Sequence, residues 1–298
     1  MRKTGRRLLP TLAILAVVLV WGLSFVSTRA VLTRGLPPMS LACLRFAVAS
    51  LVLLPLSRKI DPGLRVPPAL RFPLVLSALF GVTVYFFFET RGIQLTSASN
   101  AALIIAAIPV FTLAAEYLLY RTPINWFQGA GIFLSIAGVY LIVQRSQQTG
   151  GQNLLGNLLM LGACLSWVVY IMLSRKLQRE LSGLNLTARQ SLIGFLFLLP
   201  LALLEHRRWI PGDAAVWLNV LYLGLFCSAL AYFLYNYALR YLGPVVLSSY
   251  VNLIPLVGAL GGVVILGEEL SGVQLIGGAV IIIGVSIVNV RKKPPAGS

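Results

Sequence analysis

A repeat constrains this chain more than any other feature. At one fixed offset Trp21 falls on Trp167, Arg29 on Arg175, Gln128 on Gln274, Gly131 on Gly277 and Gly138 on Gly284. The pair Ile108-Pro109 falls on Ile254-Pro255 in the same register. Apolar segments run over 9–29, 38–56, 69–90, 98–120 and 124–143, and again over 154–174, 186–204, 215–237, 244–266 and 271–290. Each meets the ~20 residues needed to cross the hydrocarbon of a bilayer. Breaks are expected where turn chemistry and charge concentrate: Gly35-Leu-Pro-Pro38, Asp61-Pro-Gly63, Arg121-Thr-Pro123, Gln148-Thr-Gly-Gly151, Pro211-Gly-Asp213 and Gly243-Pro244. Five segments per half is an odd number, so the second half enters the membrane in the opposite sense. The expected fold is an all-α integral membrane protein of ten transmembrane helices in a 5+5 inverted-topology repeat. The halves are residues 1–146 and 147–298, joined by the polar run Arg145 to Asn153.

Composition agrees with a membrane solvent. The chain is 58% hydrophobic and 11% charged, with mean hydropathy +0.88. Soluble domains carry about twice that charged fraction. The net charge of +16 is spread over the ends of apolar segments and forms no long basic patch, so nucleic acid is not the expected partner. With the N-terminus in the cytoplasm, the basic residues in the connections concentrate on the inward side, which places both termini there. The basic start imitates a secretory signal. Its apolar run is long, however, with Trp21 and Phe25 where small cleavage-site residues belong, so it is expected to stay as the first helix. Cys43, Cys164 and Cys227 lie inside apolar segments without paired spacing and are expected as small core residues.

The prolines point to a site. A proline inside a helix removes one backbone bond and strains the preceding turn. Pro109 and Pro255 are expected to bend their helices, leaving the carbonyls of Ile105 and Val251 without their usual partners. Irregular backbone at membrane depth is tolerated where protein or a watery cavity satisfies it. Two such helices at matching positions place a transport site between the halves.

Polar and aromatic side chains fall in stripes at helical spacing. Trp21, Ser24, Phe25 and Thr28 share a face, as do their repeat mates Trp167, Tyr170, Ile171 and Ser174. Ser228, Tyr232, Tyr235 and Asn236 form another stripe, while Ser248, Ser249 and Asn252 precede Pro255. The expected substrate-binding residues are Trp21, Ser24, Tyr85, Glu89, Asn100, Trp167, Tyr170, Tyr232, Asn236, Tyr250 and Asn252. Each alone has an ordinary structural reading, since Ser and Thr bond to their own backbone and Trp and Tyr mark membrane interfaces. Glu89, with Arg91 close by, is a candidate for a substrate amine or a coupling proton. Arg45 is a candidate partner for a buried or substrate carboxylate, or a helix cap. Glu116 has no acidic mate. Glu268-Glu269 are expected to support the start of the last helix, where negative charge is favoured. Gly131, Gly138, Gly277 and Gly284 suggest close packing of the fifth and tenth helices.

No GxxxxGK[ST] loop is present, so direct use of ATP is not expected. The single histidine, His206, lies in a connection, which leaves no expected metal site, cofactor or His-based catalysis. The pattern resembles the drug/metabolite transporter superfamily, in particular its ten-helix EamA-type exporters. The resemblance rests on Trp21-Gly22, Leu44-Arg45-Phe46, Thr96-Ser-Ala-Ser-Asn100, both Ile-Pro pairs and Leu266-Gly267-Glu268-Glu269. It implies a carrier with alternating access and a cavity lined by helices 1, 3, 4, 6, 8 and 9. The Gly-Glu pair often found before helix 5 is replaced here by Arg121-Thr122. The resulting expectation is a secondary exporter of small metabolites, amino acids foremost, in a bacterial-type inner membrane. It would act as monomer or homodimer, with coupling protons as a candidate drive. The rival readings are a nontransporting receptor or scaffold, and a lipid-flipping protein or membrane enzyme.

Overall fold

The computed structural model describes residues 5–61, 66–121, 125–149, 151–205, 213–251 and 253–289. Among them the chain is helical throughout, with no strand. This is the solution lipid imposes, because a helix satisfies its own backbone polar groups. The elements are α1 (Gly5–Thr33), α2 (Pro38–Ile60), α3 (Pro68–Ala78), α4 (Tyr85–Leu95), α5 (Ala98–Ile105), α6 (Ile108–Tyr120) and α7 (Trp126–Thr149). The second half gives α8 (Gly151–Leu177), α9 (Gly183–Glu205), α10 (Ala214–Leu221), α11 (Ala231–Val251), α12 (Ile254–Leu266) and α13 (Gly272–Asn289). Two π-helical stretches, Leu79–Val84 and Tyr222–Leu230, join α3 to α4 and α10 to α11. Both end at matching positions of the repeat.

Seven helical spans are long and apolar enough to cross a bilayer. Three shorter apolar helices, Trp126–Ile142, Ile254–Leu266 and Gly272–Ile287, accompany them. Large apolar side chains such as Leu51, Phe72, Phe133 and Val264 point outward, as a lipid-facing surface requires. The protein is a multi-pass membrane protein.

The packing partners exchange under the repeat. α2 lies against its mate α9, α7 against its mate α13, and α5 against α12. α1 packs on α11, while α8, the mate of α1, packs on α4. The α7–α13 seam brings two backbones into close approach. A Cβ on Gly138 would sit 2.6 Å from the Gly277 carbonyl oxygen, and one on Gly284 would sit 2.7 Å from that of Gly131. These glycines are required by backbone approach, as the sequence suggested. Both helices also start alike. Asn125 and Gln128 cap each other reciprocally at α7, and Ser271 and Gln274 do so at α13.

Three boundaries differ from expectation. The described residues of the run from Arg145 to Asn153 are helical, with α7 reaching Thr149 and α8 starting at Gly151. Gln and Arg are good helix formers, and polar helix ends can project beyond the hydrocarbon. The chain also does not break at Gly243-Pro244, because α11 continues to Val251. Membrane helices tolerate a proline whose freed carbonyl finds another partner. The segment expected over 244–266 is therefore divided, and only Ile254–Leu266 forms a separate helix.

Candidate functional site

The two Ile-Pro pairs mark true interruptions. α5 ends at Ile105, Ala106 and Ala107 form a tight turn, and α6 restarts at Ile108 with Pro109 in its first turn. Proline suits that position because the N–H it lacks would have no intrahelical partner. In the second half Leu253 precedes α12, and Pro255 takes the matching place. The chain is interrupted at both sites rather than merely bent.

A cavity of about 60 Å³ lies between these interruptions. It is lined by Trp21, Ser24 and Phe25 of α1, Arg45 of α2, and Tyr85, Phe86 and Glu89 of α4. Ile105, Ile108, Trp167, Tyr232 and Ile254 complete it. Three pairs of repeat mates face it together: Trp21 with Trp167, Phe86 with Tyr232, and Ile108 with Ile254. The two π-helical stretches end immediately before α4 and α11, whose first turns supply Tyr85, Phe86 and Tyr232. Wide turns of this kind re-aim side chains and recur at functional sites.

The wall is an aromatic cluster. Trp21 meets Trp167 edge-on at 5.9 Å and Tyr232 at 5.4 Å. Trp167 lies 4.9 Å from Tyr85 and 4.7 Å from Tyr170. Phe46 bridges Phe86 and Tyr232 from behind. The Trp21 indole donates to the Cys227 carbonyl at 3.0 Å, which fixes its ring against the second π-helical stretch.

Charge enters from one side only. Arg45 is 3% exposed and Glu89 5%. Arg45 Nε donates to Ser228 Oγ at 2.9 Å, and the guanidinium carbon lies 4.3 Å from the centre of the Phe86 ring. Tyr85 donates to Glu89 Oε1 at 3.0 Å. The other carboxylate oxygen, Oε2, stands 3.8 Å from Arg45 Nη1 and accepts no hydrogen bond. At the repeat positions of Arg45 and Glu89 the chain has Ser191 and Tyr235, so the opposing half brings no countercharge.

Trp21, Ser24, Tyr85, Glu89, Trp167 and Tyr232 thus line one cavity. Tyr170 is buried in the aromatic cluster behind Trp167. Asn100 lies elsewhere: it donates to Thr96 Oγ1 and accepts from Gln274 Nε2 at 2.7 Å, tying the start of α5 to α13. Asn236 also lies off the cavity, bonded to Thr187, Gln178 and the Tyr232 carbonyl. Tyr250 is half-buried and packs against the core outside the lining. Asn252 lies outside the described residues. Arg45 adds helix 2 to the expected lining set. Its signal was available, as an arginine well inside an apolar segment.

Near the end where α5 begins, Glu268 caps a different helix from the one expected. Arg91 pairs with Glu205 at 2.8 Å, not with Glu89. Buried Glu205 also accepts from the Met39 and Ser40 amides at 2.9 and 3.0 Å, capping α2 from the end of α9. Glu268 caps α5, accepting from the Ala98 and Ser99 amides and the Ser99 hydroxyl, while Ser271 and Gln274 cap α13. The cause is Gly267, whose left-handed conformation ends α12 and turns the chain there. Arg29 donates to the last carbonyls of α4, those of Ile93 and Gln94. Glu205 was not singled out by sequence. A lone acid closing an apolar helix is the signal that would have found it. Glu116 pairs with Arg175 at the surface.

Interrupted helices thus border a cavity inside a helical membrane protein, and half of its lining residues are aromatic. A family profile described as the EamA-like transporter family matches residues 8–144 and again 154–290. The chain belongs to the EamA-like transporter family, a drug/metabolite transporter group. It is 31% identical to an uncharacterized transporter of Archaeoglobus fulgidus, over 92% of this chain and 95% of that one. It is 29% identical to a probable amino-acid metabolite efflux pump of Salmonella typhimurium, over 92% of each. A solved crystal structure at 22% identity shares the fold, with a TM-score of 0.68 over 95% of this chain and 97% of the other.

Proposed function

We propose that this chain is a secondary carrier that exports small metabolites, amino acids foremost, by alternating access. In this reading residues 1–146 and 147–298 are inverted repeats, the ten apolar segments each cross the membrane, and both termini face the cytoplasm. The family profile matching each half supports the repeat, as do helix partners that exchange between halves. The carrying observation is the aromatic cavity, where three pairs of repeat mates converge beside two interrupted helices. A carrier needs its site where the halves meet, because motion of one against the other then exposes it to each side in turn. At about 60 Å³ the cavity has room for only a few waters. The halves must separate to admit a side chain. The amino-acid class is supported by the mixed charge and aromatic lining, and by the name of the Salmonella relative.

The test is flux. Purified protein in liposomes is loaded with a panel of labelled amino acids and other metabolites, with and without a pH gradient. Amino-acid release at least ~10-fold above protein-free liposomes is expected. Release of another metabolite alone would move the substrate class, and no release of any compound would favour a receptor.

A further inference from the structure

Within the cavity, the relation between Arg45 and Glu89 is the least satisfied feature. Two opposite charges are almost fully buried on one wall, which is costly unless good geometry repays the lost hydration. Here the geometry falls short. The approach is 3.8 Å, no hydrogen bond joins the groups, and Glu89 Oε2 accepts none from any other residue. Arg45 carries five donor hydrogens, and its one hydrogen bond among the described residues uses Nε. Buried polar atoms in folded proteins are almost always satisfied, so each orphan calls for a partner.

We propose that Arg45 and Glu89 form the two halves of a zwitterion clasp. The free Nη donors of Arg45 take the substrate's α-carboxylate, and Glu89 Oε2 takes its α-ammonium. This rests on the amino-acid reading above and adds which residues define that class. The fit is chemical and spatial. The head group common to amino acids has about five heavy atoms and an anion and a cation side by side, on the scale of the room available. Tyr85 holds Glu89 Oε1 and Ser228 holds Arg45 Nε, so each charged group is positioned by one atom and leaves another open. The repeat gives the clasp a direction. Charge lies on the first half alone, while Trp167, Tyr232 and Ile254 of the second half are aromatic or aliphatic. The head group therefore sits against α2 and α4, and the side chain points toward the second half. An ester or a des-amino acid would leave one member of the pair buried without its partner, which is the stronger source of discrimination.

The experiment uses the wild-type carrier in liposomes. Release of labelled leucine and phenylalanine is measured with unlabelled competitors: the same amino acid, its methyl ester, and the matching des-amino acids, 4-methylpentanoate and 3-phenylpropionate. Competition by ester and des-amino acid weaker than that of the parent by at least ~10-fold supports the clasp. Equal competition by the ester overturns the role of Arg45, and equal competition by the des-amino acid overturns that of Glu89. In both cases release of the amino acid itself remains, so the transport reading stands. If other metabolites move but no amino acid does, the substrate reading fails and the clasp with it. In Arg45→Gln the parent and ester should compete alike, and in Glu89→Gln the parent and des-amino acid should. These are comparisons within one variant, and the wild-type series decides alone if either variant does not fold.

Discussion

At the scale of single residues, the acids show how far chemistry can be assigned from spacing. Glu205 joins three elements: its carboxylate caps α2, ends α9 and pairs with Arg91 of α4. Charge-assisted bonds at a helix N-terminus are stronger than neutral ones, and a buried acceptor set of this kind is costly to disturb. Glu205→Gln is expected to lower the stability of the detergent-purified protein by roughly 1–3 kcal/mol, read by thermal unfolding. Arg91→Gln should cost less in the Glu205→Gln background than in the wild type, and simple additivity would show that the pair is not coupled. Trp21, Phe25, Trp167 and Tyr232 were legible as members of stripes at helical spacing, and Trp21 has an identical mate in Trp167, whereas Phe86 of the lining was not singled out. Asn100 and Asn236 were legible only as buried polar groups. Sequence shows that such a group needs partners but not whether those are a substrate or Gln274 and Thr187. Arg91 lies close to Glu89 in the sequence, but its ion-pair partner is Glu205.

At the scale of elements, the apolar segments and the glycine seam were readable directly, while helix continuity was not. Gly243-Pro244 has every local sign of a break, yet α11 runs through it. Turn propensity is a local term, and in lipid the demand to satisfy every backbone group outweighs it. The Ile-Pro pairs did break their helices, and both breaks border the cavity. The α7–α13 seam offers an internally controlled test. Gly138→Ala puts a methyl group within 2.6 Å of the Gly277 carbonyl oxygen and should cost about 1–3 kcal/mol. Gly129→Ala, on the same helix with nothing within 4 Å, should be neutral or stabilise by up to ~1 kcal/mol. Equal effects of the two on the unfolding temperature would remove the packing explanation.

At the scale of the whole molecule, the described links between helices at one end are tighter than the repeat alone requires. Where α5 begins, Glu205, Glu268 and Arg29 join α9 to α2, the turn after α12 to α5, and α1 to α4. At the opposite end the described links include the exposed Arg175–Glu116 pair and a hydrogen bond between Ser182 and Asp61. Under the proposed alternating access, opening the cavity toward the first end would release buried Glu205 and half-buried Glu268 from the helix starts they cap. Glu268→Gln should weaken the hold on α5, replacing two charge-assisted acceptors with a neutral amide. With Cys43, Cys164 and Cys227 replaced, a cysteine at Ser24 should then react with a membrane-impermeant thiol reagent several-fold faster from that side. An unchanged rate would show that Glu268 does not hold this end shut.

The turns after α6 and α12 occupy matching places, and both are left-handed, at Arg121 and at Gly267. The next residue is Thr122 in one and Glu268 in the other. A left-handed arginine costs on the order of 1 kcal/mol that glycine avoids. The chain keeps the turn in both halves but an acid after only one. Under the alternating access proposed above, halves related by an exact two-fold rotation would leave the two end states equal in energy. A carboxylate cap at one of these two turns would tilt that balance, so such a machine would favour one posture and be drawn from it by its cargo.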